Sequence, residues 1–487
     1  MSTNDYTRRN FLKGMGFGMA SLALPLYMSA FQQKGKKKLP NILLFFTDDQ
    51  RFDTLSALNN LEVITPNMDK LVNRGISFTQ AHIMGSMSGA VCIPSRAMLM
   101  TGRTLFHLQG YGGDIPPEHI TMPEALKKEG YITFGTGKWH NGATSYARSF
   151  TNGGKIFFGG MSDHLKVPVH DFNPAGTYTK EKRYIGEKFS SELFSDSTIK
   201  FLNEYKDDKP FFIYISYTAP HDPRMAPQKY RDMYNPEKVL LPKNFMPEHP
   251  FDNGEMKIRD EGLATWPRTP KIVREHIAEY YAMITHLDDQ IGRVLKALEE
   301  SGQVDNTIII FAGDNGLAVG QHGLLGKQNL YEHSVRVPLI IGGPNLPQGE
   351  KCDALCYLLD IFPTICELVD IPLPETVEGK SLVPLITGEK KKIRDYVFGA
   401  YKNFQRMVSD GHWKLILYNV EGKQTTQLFD LQNDPWEIKN LAKDTAQTDR
   451  IKELTVLLKK WMKENGDICD LDKPNWDYVN KNIITKW

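Results

Sequence analysis

The sequence predicts an α/β fold in which helices cover both faces of a mostly parallel central sheet, followed by a smaller C-terminal α+β part with an antiparallel sheet. Up to about residue 388, continuous apolar runs alternate with helical segments, which is typical of parallel sheets buried on both faces. Beyond that point, turn signals at residues 409–411 and 420–422 separate short strand-like runs and predict an antiparallel meander. We therefore divide the 487 residues into 1–38, 39–388 and 389–487.

The first 38 residues predict an export signal followed by a basic linker. Arg8 and Arg9 precede an apolar stretch from Gly14 to Ala30, and this order is typical of twin-arginine signals. The stretch is shorter than the roughly 20 apolar residues that span a bilayer, and its glycines weaken it further. A membrane anchor and a cytosolic protein with an apolar N-terminus are the alternatives. We expect an exported, periplasmic protein that uses the twin-arginine machinery and has no stable membrane span in its mature part.

Residues 39–388 contain the repeating strand and helix pattern of the central sheet. Amphipathic helices are predicted near residues 67–74, 121–130, 195–206 and 274–300. Between them lie the predicted strands NILLFFT at 41–47, YITFGTG at 131–137, PFFIYISY at 210–217, TIIIFAG at 307–313 and VRVPLIIGG at 335–343. In the C-terminal part, an amphipathic helix over residues 451–465 follows the meander.

The composition excludes several classes of protein and sets one cysteine apart. The formal charge is +1 and aromatic residues make up 11%, so neither nucleic-acid binding nor disorder is expected. Five cysteines, an odd number, argue against a complete disulfide framework. Cys352, Cys356 and Cys366 lie in an apolar segment predicted as a helix, where buried thiols are expected and metal or disulfide use is the alternative. Cys92 instead stands shortly before a proline and an arginine.

Charged and polar residues follow the predicted parallel strands at the points where the strands end. These ends meet at one edge of the sheet, so the side chains are expected to converge. Carboxylates and an amide carbonyl are ligands for Ca²⁺ or Mg²⁺, whereas lysines, histidines and an arginine bind anions and transfer protons. Each residue alone could belong to an ordinary turn or surface, but the set predicts a site for a phosphate or sulfate ester. The residues are Asp48, Asp49, Lys138, His140, His221, Asp314 and Asn315, with Lys327 further on.

The segment around Cys92 gives these residues a common context. Residues 92–96 read CIPSR and residues 101–103 read TGR, and the chain also contains, in order, TDDQ, GKWH, APH, GDNG and a later GK. This set resembles the formylglycine-dependent type I sulfatases of the alkaline-phosphatase-like superfamily. The C-terminal stretches MVSDGHWKLILY and LFDLQNDPWEIKNLA are similar to that family's C-terminal subdomain. The resemblance covers essentially the whole mature chain and implies a large alkaline-phosphatase-like domain.

The resemblance implies that Cys92 acts after conversion to Cα-formylglycine. A formylglycine-generating or an anaerobic sulfatase-maturating enzyme would be the partner that oxidises it, with Pro94 and Arg96 in the recognised signal. One hydroxyl of the aldehyde hydrate would attack sulfur, and the other would expel the sulfate as the aldehyde re-forms. The implied ion is one Ca²⁺ rather than Mg²⁺. Its implied ligands are Asp48, Asp49, Asp314, Asn315 and the converted Cys92.

The same resemblance assigns roles to the remaining residues. Arg96 is implied to hold the formylglycine and the aspartate on the metal side. Lys138 and Lys327 are implied to bind the sulfate oxygens. His140 would take a proton from the second hydroxyl, and His221 would be the general acid that protonates the leaving alcohol oxygen.

The substrate is predicted less closely than the reaction. A bacterial exported sulfatase is expected to act on a sulfated glycan, and we favour galactose or N-acetylgalactosamine sulfates. Rival functions are formylglycine-type phosphonate or phosphodiester hydrolysis and glycan binding without catalysis. A structural role is the alternative for every candidate substrate-binding residue. These candidates are Arg224, His170, Asp171, His333 and Arg336.

Overall fold

The computed structural model describes residues 39–476, which belong to one compact unit that begins at Leu39. The export signal and basic linker predicted over residues 1–38 lie outside the described residues. Between residues 39 and 476, no helix combines the length and apolar character that a membrane span requires.

The described residues form seventeen strands and eleven α-helices. In chain order the strands are β1 (Asn41–Thr47), β2 (Gly75–Phe78), β3 (Ala81–His82), β4 (Gly85–Ser86), β5 (Ile132–Lys138), β6 (Asn152–Phe157), β7 (Pro168–Val169), β8 (Tyr184–Ile185), β9 (Phe211–Ser216), β10 (Thr307–Gly313), β11 (Leu339–Gly342), β12 (Glu350–Cys352), β13 (Cys356–Tyr357), β14 (Val397–Tyr401), β15 (Gln405–Ser409), β16 (Trp413–Val420) and β17 (Lys423–Asp430). The helices are α1 (Pro66–Arg74), α2 (Cys92–Thr101), α3 (Met122–Lys128), α4 (Ala143–Ser149), α5 (Ser190–Glu204), α6 (Gln228–Arg231), α7 (Pro270–Glu300), α8 (Glu332–Val335), α9 (Ile361–Leu368), α10 (Val383–Ile386) and α11 (Thr448–Glu464).

The central sheet has eight strands in the order β12-β2-β11-β10-β1-β9-β5-β6. Only β11 runs against the other strands of this sheet, so the predicted mostly parallel α/β fold is confirmed. Strand β1 lies between β10 and β9, and all seven of its residues are buried.

The side chains of β1 show why a continuous apolar run was needed. Ile42, Leu44 and Phe46 enter the core on one face of the sheet, where α2 and α9 pack. Leu43 and Phe45 enter the core on the other face, beneath α7. Because successive side chains of a strand point to opposite faces, a strand covered on both sides is apolar at every interior position, and in β1 only the terminal Asn41 and Thr47 are polar.

A second sheet has the order β17-β16-β15-β14-β4. Strands β14 to β17 form the antiparallel meander predicted from the turn signals. Its fifth strand, β4, comes from the chain just before Cys92 and pairs in parallel with β14. Gly85 is required there, because a Cβ at this position would lie 2.2 Å from the carbonyl oxygen of Ala400. The boundary placed at residue 388 stays a prediction.

The single helix predicted around Cys352, Cys356 and Cys366 is wrong. Cys352 ends β12, Cys356 begins β13, and only Cys366 lies in a helix, α9. Strand pairing decides the first half of this segment, because β12 adds to β2 and β13 adds to β3. All five cysteines are described, and all are free thiols.

Candidate active site

The candidate site lies at the carboxyl edge of the central sheet. Strands β10, β1, β9 and β5 are neighbours and run parallel, so the residues that follow them emerge side by side. The convergence predicted from the strand ends is therefore present. Gly137 allows β5 to approach β9 closely at this edge, because a Cβ at this residue would lie 1.9 Å from the carbonyl oxygen of Ser216 in β9.

Cys92 is the first residue of α2, a helix in which every residue is buried. Its Sγ lies 3.4 Å from Nδ1 of His140 and 3.4 Å from Nζ of Lys138. Burial raises the pKa of the Cys92 thiol, and the nearby lysines do not offset this effect. A reactive cysteine nucleophile normally has a lowered pKa, so the surroundings of Cys92 do not favour a thiolate.

Buried acidic side chains surround this cysteine. Ligand atoms of Asp48, Cys92 and Asp314 all lie within 4.8 Å of one another, and so do ligand atoms of Asp48, Asp49 and His221. The amide nitrogen of Asn315 donates to Asp49 at 2.7 Å, which turns the amide oxygen away from that carboxylate.

Three oxygens of this group test whether a cation fits. Asp48 Oδ1, Asp49 Oδ2 and Asn315 Oδ1 are buried and accept no hydrogen bond from any described residue. Such oxygens are costly to bury unless something positive meets them. Carboxylate and amide oxygens are ligands that suit a hard divalent cation, so the residues present fit an ion of the Ca²⁺ class.

Basic side chains balance the carboxylates. Lys138 Nζ lies 2.6 Å from Asp48 Oδ2, and Lys327 Nζ lies 2.6 Å from Asp49 Oδ1. Arg96 Nη2 lies 2.8 Å from Asp314 Oδ2. Burial opposes ionisation of Asp48, but the charges of Lys138, His221, Arg96 and Lys327 together outweigh it and hold the pKa of that carboxyl far below its usual range.

The two histidines of the site have different surroundings. Nδ1 of His221 lies 2.8 Å from the carbonyl oxygen of Asp222, a pure acceptor, so this nitrogen carries a proton. Nε2 of His221 faces the acidic group, 3.6 Å from Asp49 Oδ2. Burial and the charge of Lys138 hold the pKa of His140 well below its usual value, so this ring is neutral and able to accept a proton.

A cavity of about 560 Å³ opens above these residues. Cys92, His140, His221 and Lys327 all line it. A small molecule entering this cavity would therefore meet the cysteine, both histidines and one of the lysines together. The site combines buried carboxylate and amide oxygens, two lysines, an arginine and two histidines around one buried cysteine.

Comparison with known proteins identifies this arrangement. A model of the sulfatase family matches residues 40–371, which include every residue of the cluster described above. The chain belongs to the sulfatase family. The protein is therefore a sulfuric ester hydrolase with the predicted alkaline-phosphatase-like α/β fold. A second model, the C-terminal region of N-sulphoglucosamine sulphohydrolase, matches residues 320–464.

Individual relatives agree with the family match along most of the chain. An N-acetylglucosamine-6-O-sulfatase from Bacteroides thetaiotaomicron is 26% identical to this chain. The alignment covers 91% of this chain and 90% of that protein. An arylsulfatase from Clostridium perfringens is 30% identical, with 86% of this chain and 94% of that protein covered. One similar solved structure is a protein in complex with its substrate, D-glucosamine-2-N,6-O-disulfate. It has a TM-score of 0.76 and 23% identity to this sulfatase, and the match covers 89% of this chain and 99% of that chain.

Three of the candidate substrate-binding residues make contacts outside the lining of the cavity. Arg224 is half-buried, and its Nη1 lies 2.7 Å from Nδ1 of His276. His170 exchanges backbone hydrogen bonds with Ile156. Asp171 accepts a hydrogen bond from a neighbouring tyrosine hydroxyl at 2.5 Å. Their roles in substrate binding stay predictions.

The other two candidates, His333 and Arg336, lie in or just after α8. His333 is buried, and its Nδ1 lies 2.8 Å from Oγ of Ser334. The guanidinium of Arg336 lies 4.1 Å from the centre of the Phe52 ring. Neither residue is part of the cavity lining that the described residues form. Substrate binding by these two residues also stays a prediction.

Sequence reasoning missed several residues that do line the cavity of this sulfatase. Arg259 is bound by both Asp222 and Asp260, which holds its guanidinium beside the His221 loop. Lys402 comes from the loop between β14 and β15, so the antiparallel sheet supplies part of the wall. Tyr111 also lines the cavity. These residues lie in loops without periodic patterns, and their sequence neighbourhoods carry no motif that could have identified them.

Proposed function

We propose that this sulfatase hydrolyses a sulfate ester on a glycan saccharide, with Cys92 converted to Cα-formylglycine and one bound Ca²⁺. The observation that carries the proposal is the position of Cys92. It is a buried cysteine with an unactivated thiol, held between Lys138 and His140 at the base of the cavity. A thiol in that environment is a poor nucleophile, whereas the hydrate of an aldehyde supplies an oxygen nucleophile at the same position.

The residues around Cys92 fit the binding and proton transfers that the reaction requires. Lys138 and Lys327 present ammonium groups to the sulfate oxygens from two sides of the cysteine. Nδ1–H of His221 donates a hydrogen bond to a backbone carbonyl, so in the acid role the ring would be an imidazolium whose second proton, on Nε2, passes to the leaving oxygen. His140 is neutral and takes a proton at the position of Cys92. Arg96 holds Asp314 and the backbone carbonyl of Lys138 in place.

The proposed Ca²⁺ would be held by buried side-chain oxygens, three of which accept no hydrogen bond from any described residue. Asp48, Asp49, Asp314 and Asn315 supply carboxylate and amide oxygens, and the oxygen of the converted Cys92 would complete the set. The ion, when bound, supplies positive charge beside the sulfate group. Oxygen donors suit either hard cation, and the match to the sulfatase family, which generally uses Ca²⁺, favours Ca²⁺ over Mg²⁺.

The proposed saccharide comes from the sequence and from the relatives of this sulfatase. The galactose or N-acetylgalactosamine sulfate favoured from the sequence stays a prediction. The relative from B. thetaiotaomicron is an N-acetylglucosamine-6-O-sulfatase, which adds glucosamine-type sulfates to the panel to be tested.

The test has two measurements on protein made in a host that contains a sulfatase-maturing enzyme. Conversion of Cys92 lowers the mass of its peptide by about 18 Da, the difference between a thiol and an aldehyde side chain. The purified protein should then release sulfate from one member of a panel of galactose-type and glucosamine-type sulfated saccharides. Cys92→Ala is the matched control and should release none. An unconverted Cys92 in active protein would overturn the formylglycine proposal, and turnover of phosphonate esters alone would overturn the sulfate assignment.

The export route is a separate proposal. We propose that residues 1–38 direct this sulfatase to the periplasm through the twin-arginine machinery, as the paired Arg8 and Arg9 indicate. Cell fractionation should find the full-length protein in the periplasm, and changing both arginines to lysine should retain it in the cytoplasm. Unchanged export of that variant would argue against the twin-arginine route.

A further inference from the structure

A buried histidine outside the proposed catalytic set is bonded to the loop that carries His221. His164 lies in the loop between β6 and β7, with only 1% of its surface exposed. Its Nε2 lies 2.9 Å from the backbone carbonyl oxygen of His221. Its Nδ1 lies 2.7 Å from Oγ of Ser190, the first residue of α5. One ring therefore joins the proposed general acid to the start of a long helix.

The hydrogen atoms in this contact can be assigned from chemistry. A carbonyl oxygen only accepts, so Nε2 of His164 carries the proton and donates it. Burial holds the pKa of His164 at about 4, so the ring is neutral and Nδ1 must accept. The hydroxyl of Ser190 donates to Nδ1, and it accepts in turn from the hydroxyl of Thr218 at 2.8 Å. The bonds form one chain with a single direction, from Thr218 through Ser190 and His164 to His221.

This chain begins and ends in the same short loop. Thr218 and His221 both lie between the end of β9 and residue 222, and the backbone N–H of His221 donates to the carbonyl of Thr218 at 3.1 Å. The backbone N–H of Tyr217 anchors the start of the loop, because it donates to the carbonyl oxygen of Phe46 in β1 at 2.8 Å. The His164 ring thus fixes the far end of a loop whose near end is part of the central sheet.

We propose that His164 is a positioning residue, which holds the backbone of His221 so that Nε2 of that residue meets the leaving-group oxygen of the sulfate ester. The inference rests on the general-acid role given to His221 under the proposed function. His164 lies behind the loop and has no place in the cavity lining formed by the described residues, so it acts only through His221. Loss of this contact should therefore harm protonation of the leaving group and spare the binding of sulfate.

The test compares leaving groups in the matured enzyme. His164→Phe keeps a flat ring that can stack on Phe189, as His164 does at 5.0 Å, but it removes both ring nitrogens. With a sulfated saccharide, whose alkoxide needs a proton to leave, we expect kcat/KM to fall about 10- to 100-fold. With 4-nitrophenyl sulfate, whose phenolate leaves without a proton, we expect a change of less than about threefold. KM for both substrates should stay nearly constant.

A matched control comes from another buried histidine on the same phenylalanine. His286 contacts Phe189 at 4.5 Å, but its Nε2 faces Glu192 at 3.2 Å rather than the His221 loop. His286→Phe should leave the ratio of the two kcat/KM values unchanged. Ser190→Ala provides a second test if His164→Phe does not fold, because it frees Nδ1 and should lower the same ratio by a smaller factor.

His221→Ala separates failure of this inference from failure of the proposed function. If His221→Ala lowers kcat/KM for both substrates equally, the general-acid role of His221 is wrong and the positioning role of His164 falls with it, whereas sulfate release and conversion of Cys92 test the rest of the proposed function. Suppose His221→Ala lowers kcat/KM for the saccharide much more than for 4-nitrophenyl sulfate. If His164→Phe and Ser190→Ala then lower both kcat/KM values equally, the positioning role is overturned and the proposed function stands. The inference is supported if His221→Ala, His164→Phe and Ser190→Ala all lower kcat/KM more for the saccharide than for 4-nitrophenyl sulfate. His286→Phe should not show this difference.

Discussion

Replacing Arg96 by methionine should destabilise this sulfatase strongly, because it removes one partner of a fully buried ion pair. The guanidinium is 0% exposed, and its Nη2 lies 2.8 Å from Asp314 Oδ2. It also donates to the carbonyl of Lys138 at 3.1 Å and lies 5.2 Å from the centre of the Phe46 ring. Leaving a buried carboxylate without its partner costs about 3–5 kcal/mol, and methionine fills most of the lost volume. We expect the free energy of unfolding to fall by that amount.

The loss should depend on pH with a defined sign. Burial and the charge of Asp48 raise the pKa of Asp314 even with Arg96 present, and removal of Arg96 raises it further. A carboxyl with a raised pKa binds its proton more tightly in the folded chain than in the unfolded chain, so stability falls as pH rises. Urea unfolding in EDTA should therefore show a larger loss at pH 8 than at pH 6.

Arg51→Met is the matched control for this measurement. Arg51 is also buried, but its partner Asp53, at 2.8 Å, keeps 24% of its side chain exposed and can be solvated. We expect a loss of about 1 kcal/mol with little dependence on pH. Adding Asp314→Asn to Arg96→Met should recover part of the stability, because no buried charge is then left alone. A loss below about 1 kcal/mol for Arg96→Met, or equal losses at both pH values, would refute the reasoning.

Three further predictions concern the cavity and the proposed ion. Lys138→Ala and Lys327→Ala should each lower kcat/KM for a sulfate ester by about 10²–10³-fold, since both remove charge at the developing anion; unchanged kinetics would exclude contact with sulfate. Tyr111 lines the cavity and packs its partly buried ring against the core, so Tyr111→Gly should lower both Tm and kcat/KM for the saccharide, although its φ of 51° suits glycine; unchanged kinetics would exclude contact with the saccharide. Ca²⁺ should raise Tm of the wild type, whereas Asp49→Asn should abolish the shift; an equal shift in both would place the ion elsewhere.

The sequence predicted the chemical centre better than its surroundings, for a physical reason. The interior of a strand buried on both faces must be apolar, so the run before Asp48 was visible, as was the run before Asp314. Parallel strands then bring their ends together whatever the loops do. The contacts of Lys138 and Lys327 with the two adjacent aspartates follow from that geometry.

The cavity wall could not be predicted in the same way. Arg259 and Lys402 are 143 positions apart in the chain and lie in loops that only tertiary packing brings to one cavity. The failed helix around Cys352 has a related cause. An apolar segment of that length suits either a helix or short edge strands, and the free edges of β2 and β3 decided the outcome.

The pairing of β4 with β14 can form only late in the synthesis of the protein. The segment that leads into Cys92 finds its neighbouring strand only when residues 397–401 have been made, about 300 positions later. At roughly 5–20 residues per second, translation of that length lasts about 15–60 s. Throughout this interval β4, the strand before Cys92, has no partner strand. Once the protein is folded, every residue of α2 is buried. For the conversion of Cys92 proposed above, slower translation downstream of residue 103 lengthens this interval and should increase the converted fraction.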